Sequence, residues 1–288
     1  MSLKRVSWTG KPRPYEKFDK NDLTLTCHQQ PITNNQQPTT NNQIVKMQRL
    51  AIAPTQIQDG QILLTEAQFH YLGRVLRLQT GDRFMALDGR GGAWMATLGQ
   101  KTAELGEVIC FDTELSVRVT LMVAMPKGSG FEEIVRQGTE LGVTGFQPVA
   151  SDRTLLKPSA NKLQRWRRIA AEAAEQCERA IIPTICDPVS FTQALQTVAE
   201  TQVQGYIATA RFEGVSPLLT VLSPESQAIA LATGPEGGWT AAEIQAAIAS
   251  GFVPVSLGKR ILRAVTAPIA AMGAIAAYFE RDLSRKVK

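Results

Sequence analysis

Residues 228–279 read AIALATGPEGGWTAAEIQAAIASGFVPVSLGKRILRAVTAPIAAMGAIAAYF, and their pattern is two strand–loop–helix units in tandem. Ala228–Thr233 is an apolar run of strand length that stops at Gly234. Gly234-Pro235-Glu236-Gly237-Gly238 then bends the chain, since glycine reaches backbone angles that a Cβ forbids. Thr240 opens the next helix, and Glu243 completes a capping box. That helix, Thr240–Ala249, closes at the C′ glycine Gly251. A second strand, Phe252–Leu257, ends at Gly258 and releases the loop 259–265. Thr266 is expected to cap the last helix, with Pro268 tolerated in its first turn.

Two strands of a parallel sheet therefore release glycine-bearing loops, and small ligands bind beyond the carboxyl ends of such strands. Two ordinary capped turns are the competing reading, because isolated glycine loops carry little information.

The literal residues narrow the choice. GPEGG followed by LGKRILRA-x-TA resembles the SPOUT methyltransferases, and within them the RsmE family of 16S rRNA (uracil-N3)-methyltransferases. The resemblance implies an α/β fold: a SPOUT-type parallel sheet with a C-terminal trefoil knot, preceded by a small PUA-like β-barrel domain. It implies that the two loops cradle S-adenosylmethionine, with Leu231, Thr233, Gly234, Glu236, Gly237, Leu257, Gly258, Ile261, Leu262, Thr266 and Ala267 at the cofactor-binding positions. In one place the chain departs from the family pattern R-(T/A)-E-T-A: Val265 stands where the acid is expected.

With 288 residues the chain is long enough for two domains, and 44% hydrophobic and 20% charged residues are an ordinary globular profile. No apolar run reaches membrane-spanning length, and no signal peptide is recognised, so a cytoplasmic protein is expected. Four scattered cysteines without a CxxC pair and two histidines argue against structural zinc and disulfides. Of the net charge of +5, residues 1–46 contribute +4, so nucleic-acid binding must come from local clusters.

Residues 1–46 contain the polar tract QQPITNNQQPTTNNQ and are expected to be a disordered or misassigned extension ahead of Met47. Residues 47–115 form the PUA-like domain, with short strands at 49–53, 61–65, 82–88, 93–99 and 104–111 and a hairpin at Asp88-Gly89 to Gly92. One helix, capped by Thr65, is expected to line Phe69, Leu72, Val75 and Leu76 along a core face. Arg74 and Arg77 lie on its other side, where a solvated face is the alternative to the RNA contact that the resemblance implies.

Residues 116–288 alternate strands and helices, as in a sheet covered on both faces, and form the methyltransferase domain. Lys127 and Glu140 match the family's "K…ELG" segment. Arg153, Lys157, Lys162, Arg165, Arg167 and Arg168 form a cluster without an acid, and Arg153, Arg165 and Arg168 join Lys127 as candidate RNA contacts. Trp166 belongs to an apolar stripe and is expected in the core. Glu175-Gln176-Cys177-Glu178-Arg179 matches the family's E-Q-C-x-R, which makes Arg179 an RNA or active-site candidate. Cys177 has no His or Lys partner in the motif to activate it as a nucleophile.

The implied chemistry is methylation of N3 of a specific 16S rRNA uridine within the small ribosomal subunit by a homodimer, with no metal required. The nucleophile and methyl carbon must be aligned in line, and the base must be accessible or extruded. An arginine beside the uracil oxygens would stabilise the N3 anion, and Arg179 and Arg263 are the candidates, with Glu236 as a base or cofactor-holding group. An RNA-binding module without catalysis and a nucleotide-binding α/β enzyme are the rival classes; no G-x-G-x-x-G or GK(S/T) loop supports the second.

Overall fold

The structure is a computed structural model and describes residues 47–110, 113–154, 158–201, 203–210, 212 and 214–281. The expected extension 1–46, Phe111 and Lys157 lie outside these residues. The chain forms two compact units, one ending at Cys110 and the other beginning at residue 111.

The first unit contains β1 (Arg49–Ala51), β2 (Ile57–Gln58), β3 (Gln61–Leu63), α1 (Glu66–His70), β4 (Arg83–Leu87), β5 (Ala93–Leu98) and β6 (Thr102–Val108). Its sheet runs β1-β4-β5-β6-β3-β2, with β1 parallel to β4 and the other neighbours antiparallel. β1 and β2 are not paired with each other, so the sheet is an open half-barrel and not a closed barrel. The hairpin after β4 closes as expected: the Asp88 carboxylate accepts from the N–H groups of Arg90 and Gly92 at 2.7 and 2.8 Å. Ile62, Leu72 and Phe84 are fully buried beneath the sheet.

α1 begins as expected, with Thr65 accepting from the Gln68 N–H. It does not continue with a 3.6-residue period. Residues Tyr71–Val75 form a π-turn, in which the Leu76 N–H donates to the Tyr71 carbonyl at 3.0 Å. The added residue rotates the later side chains about the helix axis. Leu72 is buried, whereas Phe69 and Val75 are 38% and 59% exposed, so the expected continuous apolar face does not form.

The second unit runs β7 (Arg118–Ala124), α2 (Gly130–Glu140), β8 (Gly145–Ala150), α3 (Ala160–Gln176), β9 (Thr184–Ile185), β10 (Val189–Ser190), α4 (Phe191–Ala199), β11 (Gln204–Ala208), β12 (Ser216–Pro217), α5 (Leu218–Val221), β13 (Ala228–Thr233), α6 (Ala241–Ala249), β14 (Val253–Ser256) and α7 (Thr266–Glu280). Its sheet order is β10-β8-β7-β13-β11-β14-β12, with β9 beside β8, and every pairing is parallel.

Alternate residues of β13 feed two cores. Ile229 and Leu231 pack with Phe131 and Ile134 of α2, Trp166 of α3, and Met272 and Ile275 of α7. Ala230 and Ala232 pack with Phe191 and Leu195 of α4 and Trp239 and Ala247 around α6. Both faces of the parallel sheet are therefore covered, as the near-continuous apolar runs require. Trp166 is fully buried 4.2 Å from the Phe131 ring, as its stripe predicts.

One expected cap is absent. Thr266 is the first residue of α7, and the N-cap residue Val265 already has helical angles (φ −81°, ψ −38°) with no side-chain cap. The chain enters α7 from a helical turn, in which the Ala267 N–H bonds the Arg263 carbonyl at 2.9 Å. No extended residue is left whose side chain could fold back onto the first amides.

Candidate functional site

Because all strands of the second unit are parallel, the segments after β7, β8, β11, β13 and β14 leave the sheet at one edge. β13 and β14 are not neighbours. β11 lies between them, so the two glycine loops start about 10 Å apart.

They converge further along the chain. The Glu236 carboxylate accepts from the Lys127 N–H at 2.9 Å, on the loop after β7. Val265 reaches the same place from the other side: a Cβ on Gly130 would stand 2.8 Å from Val265 Cγ2. The segment 257–265 thus spans the width of β11 and β13, and both glycine loops meet residues 126–130.

Side chains from the β8 side hold this edge together. Arg153 Nη1 donates to the Gly237 carbonyl at 2.6 Å. Glu243, 8% exposed, accepts from the N–H of Thr240 at 2.8 Å and of Asp152 at 2.9 Å. It therefore caps α6 and staples the β8 loop with one carboxylate. Thr240 Oγ1 donates to Asp152 Oδ2 at 3.1 Å, and Lys162 Nζ donates to the Gly128 carbonyl at 3.0 Å. Trp239 packs over Gly234 and stacks on Phe191 with ring centroids 4.3 Å apart. Gly258 has φ +115°, which strains any side-chain-bearing residue.

The edge also holds polar atoms without a partner. Thr209 Oγ1, Thr233 Oγ1 and Trp239 Nε1 are buried and make no hydrogen bond. Thr233 ends β13 and Thr209 follows the adjacent β11, so the two hydroxyls occupy neighbouring strand exits. Buried polar groups are nearly always paired, so orphans at a ligand edge fit a polar ligand that completes them. The remaining expected cofactor positions differ in placement. Leu231 is fully buried in the strand, Leu257, Leu262 and Ala267 are half-buried, Thr266 is exposed, and Ile261 is 62% exposed.

Arg179 is not at this edge. It is 4% exposed, and its Nη1 donates to the carbonyls of Thr139 and Val143, both at 2.8 Å. Its Nε donates to Glu114 Oε2 at 3.0 Å. Val143 precedes β8, so the guanidinium sits where the parallel strands begin. The glycine loops lie about 20 Å away, at the other end of β7. Within one chain the expectation that Arg179 faces the reacting base therefore fails: the side chain is consumed by a buried anchor. Arg263, by contrast, is exposed on the loop after β14. Burial pushes the Cys177 thiol up from its ordinary value, against the activation a nucleophile needs.

The basic cluster on α3 is also largely engaged. Arg165 pairs with Glu132 at 2.8 Å, Arg167 with Asp187 at 2.8 Å, and Arg168 lies 3.6 Å from Glu172. With Arg153 on Gly237, these residues tie the fold together before they meet any phosphate. Lys127 and, on the loop after β14, Lys259, Arg260 and Arg263 point exposed charge outward at the edge. Lys259 and Arg260 were not singled out by sequence, although no Asp or Glu occurs between Glu243 and Glu280.

In the first unit, Arg74 and Arg77 are both exposed. Arg77 has φ +59° just past the π-turn, a position that favours glycine, and the Leu78 N–H closes the turn on the Leu72 carbonyl. Arg77→Gly is expected to stabilise the protein by about 1 kcal/mol in a thermal or denaturant melt, and to weaken RNA binding in the same sample. Opposite signs would show that backbone strain is kept for the guanidinium; RNA affinity equal to wild type would make Arg77 a solvated side chain.

Comparison with known proteins bears on the family and the fold. Residues 113–276 match the family model of the RNA methyltransferase domain, and residues 64–108 that of the RNA methyltransferase PUA domain. The chain is 54% identical over 238 residues to the ribosomal RNA small subunit methyltransferase E of Synechocystis, covering 81% of this chain and 78% of the relative. It is 32% identical over 257 residues to the Bacillus subtilis protein of that name, covering 83% and 99%. Among solved structures, the Neisseria gonorrhoeae ribosomal RNA small subunit methyltransferase E bound to S-adenosyl methionine is similar, with a TM-score of 0.69, 32% identity and coverage of 81% and 98%. A Legionella pneumophila protein in complex with the cofactor SAM has a TM-score of 0.66, 27% identity and coverage of 81% and 97%.

Proposed function

The chain belongs to the ribosomal RNA small subunit methyltransferase E family, and from that premise we propose that it transfers a methyl group from S-adenosylmethionine to N3 of a uridine in 16S rRNA. The observation that carries this reading is the convergence of the loops after β13 and β14 on residues 126–130, over the unpartnered Thr209 and Thr233 hydroxyls.

Bound there, S-adenosylmethionine supplies an electrophilic methyl group on a sulfonium. The backbone of the two glycine loops and the orphan hydroxyls of Thr209 and Thr233 hold and orient the donor. Glu236 fixes the first loop through the Lys127 N–H, which leaves one carboxylate oxygen for cofactor or substrate. Uridine N3 carries a proton and becomes a good nucleophile as the anion. Arg263, exposed on the second loop, stabilises the charge on the uracil oxygens as that proton passes to the free Glu236 oxygen or to water. Position alone can supply much of the remaining acceleration, by fixing nucleophile and methyl in line.

Three further parts belong to the proposal. The passage of segment 257–265 across β11 and β13 into α7, which packs on α2, supports a trefoil knot. Residues 47–115 act as the RNA-binding PUA-like domain and 116–288 as the methyltransferase domain, in a cytoplasmic protein; among the described residues no helix is long and apolar enough to cross a membrane. A homodimer forms through the small-residue face of α7, where Ala270 and Ala277 are exposed and a Cβ on Gly273 would touch nothing.

Calorimetric titration with S-adenosylmethionine, followed by methylation of small-subunit RNA and of assembled subunits, tests the reading. Saturable binding and N3-methyluridine at one position by mass spectrometry are the expected results. Binding without turnover on either substrate would make the chain an RNA-binding module, and no binding at all would overturn the cofactor assignment.

A further inference from the structure

We infer that the loop Lys259–Arg263 is the grip that opens the RNA: Lys259 and Arg260 take backbone phosphates around the target nucleotide while Arg263 stays with the uracil, and Ile261 enters the base stack as the uridine leaves it. The inference rests on the methyl-transfer reading above and names how that site gains access to N3.

The charge at this loop is free where that of the α3 arginines is not. Lys259, Arg260 and Arg263 are exposed, and none of their side chains has a hydrogen-bond or ion-pair partner among the described residues. The arginines of α3 are paired with Glu132, Asp187 and Glu172. Phosphate contacts need uncommitted cations with reach, and each neutralised phosphate adds to the salt dependence of binding.

Ile261 is 62% exposed among these three cations. Single exposed apolar residues are common and mean little alone. This one has a setting. Leu262 and Ala264, which follow it, turn inward, half-buried and buried, so the loop is anchored directly after Ile261 while Ile261 points away from the core. It stands on the segment that spans the strand exits where the donor binds.

The reaction needs such a group. N3 is the Watson–Crick donor of uridine, so a base in a helix must be unstacked before its N3 can meet the methyl carbon. Proteins that unstack bases insert an apolar wedge of Ile, Leu, Met or Phe and hold the backbone with cations. On this reading the cofactor contacts of residues 258–262 come from their backbone, and the Ile261 side chain serves the RNA.

The experiment uses the full chain and two RNA duplexes of the target region, one with the uridine paired and one with it opposite an abasic site. Lys259→Gln with Arg260→Gln is expected to reduce the slope of log affinity against log salt by about two. With S-adenosylmethionine saturating, Ile261→Ala is expected to slow single-turnover methylation of the paired RNA about tenfold or more beyond any slowing it causes on the abasic duplex. Equal slowing on both duplexes at saturating donor, or an unchanged salt slope, would overturn the inference. If wild type methylates neither duplex and ignores the donor, the functional reading fails, while the salt slope still reports on the grip.

Discussion

Arg179→Ala is expected to cost about 3–5 kcal/mol of folding stability, the range for breaking a buried ion pair by removing one partner. The guanidinium is the hub of a small buried network. It holds Glu114 through Nε and Nη2, and it closes the carbonyls of Thr139 and Val143 at the end of α2. Glu114 in turn accepts from the Ile181 N–H at 3.2 Å. Alanine leaves a carboxylate without its counter-charge and the Val143 carbonyl without a donor, while that of Thr139 keeps the Gly142 N–H, and each such orphan is costly. For a unit of this size the loss is a fall in melting temperature of about 10 °C or more. Arg179→Lys should recover only part of it, since an ammonium cannot fork to a carboxylate and reach two carbonyls in one plane. Replacing the pair together, Arg179→Met with Glu114→Leu, should be milder than Arg179→Ala, because no charge is then stranded and only the Val143 carbonyl and the Ile181 N–H lose their partners. A protein with Arg179→Ala that melts within about 1 kcal/mol of wild type but has lost turnover would place the guanidinium at the substrate and refute the anchor.

Glu236 is expected to separate its two possible jobs by substitution. Glu236→Ala removes the acceptor for the Lys127 N–H, a charge-assisted bond of about 1.5–3 kcal/mol. The loops after β7 and β13 then lose their direct tie, and S-adenosylmethionine affinity should fall about tenfold or more. Glu236→Gln keeps an acceptor oxygen in the same place, so its cofactor affinity should stay within a few-fold of wild type. Single-turnover methylation by that variant then reads the second job. A rate close to wild type means the carboxylate only positions the loops, whereas a large loss at normal cofactor affinity means the free oxygen handles a proton or the substrate. If both variants bind the donor as tightly as wild type, the loop tie contributes nothing to the site.

Much of the fold was legible because the deciding signals are local. The strand Ala228–Thr233 has the ends that its apolar run and the following Gly234 predicted. The Thr240–Glu243 capping box forms as read, since both partners lie within one turn and need no knowledge of the rest of the chain. The π-turn after His70 was not legible: one widened hydrogen-bonded ring changes which of Phe69, Leu72 and Val75 reach the core without changing their composition. The expected Thr266 cap failed for a related reason, because the chain arrives at α7 already helical.

The site divides in the same way. Sequence by itself determined that two glycine loops and an acid-free stretch from Glu243 to Glu280 lie close along the chain, because spacing and residue type are written in it directly. Only the tertiary structure decided which cations remain free to meet RNA. Arg179 finds Glu114, 65 residues earlier, and Arg167 finds Asp187, 20 residues later. It also decided that β11 separates β13 from β14 and that segment 257–265 spans both exits to meet residues 126–130. Partners of this kind are chosen by which surfaces pack together once the sheet is ordered. A charged side chain far along the chain then satisfies its neighbour's hydrogen bonds or stays in water, and no local pattern distinguishes the two.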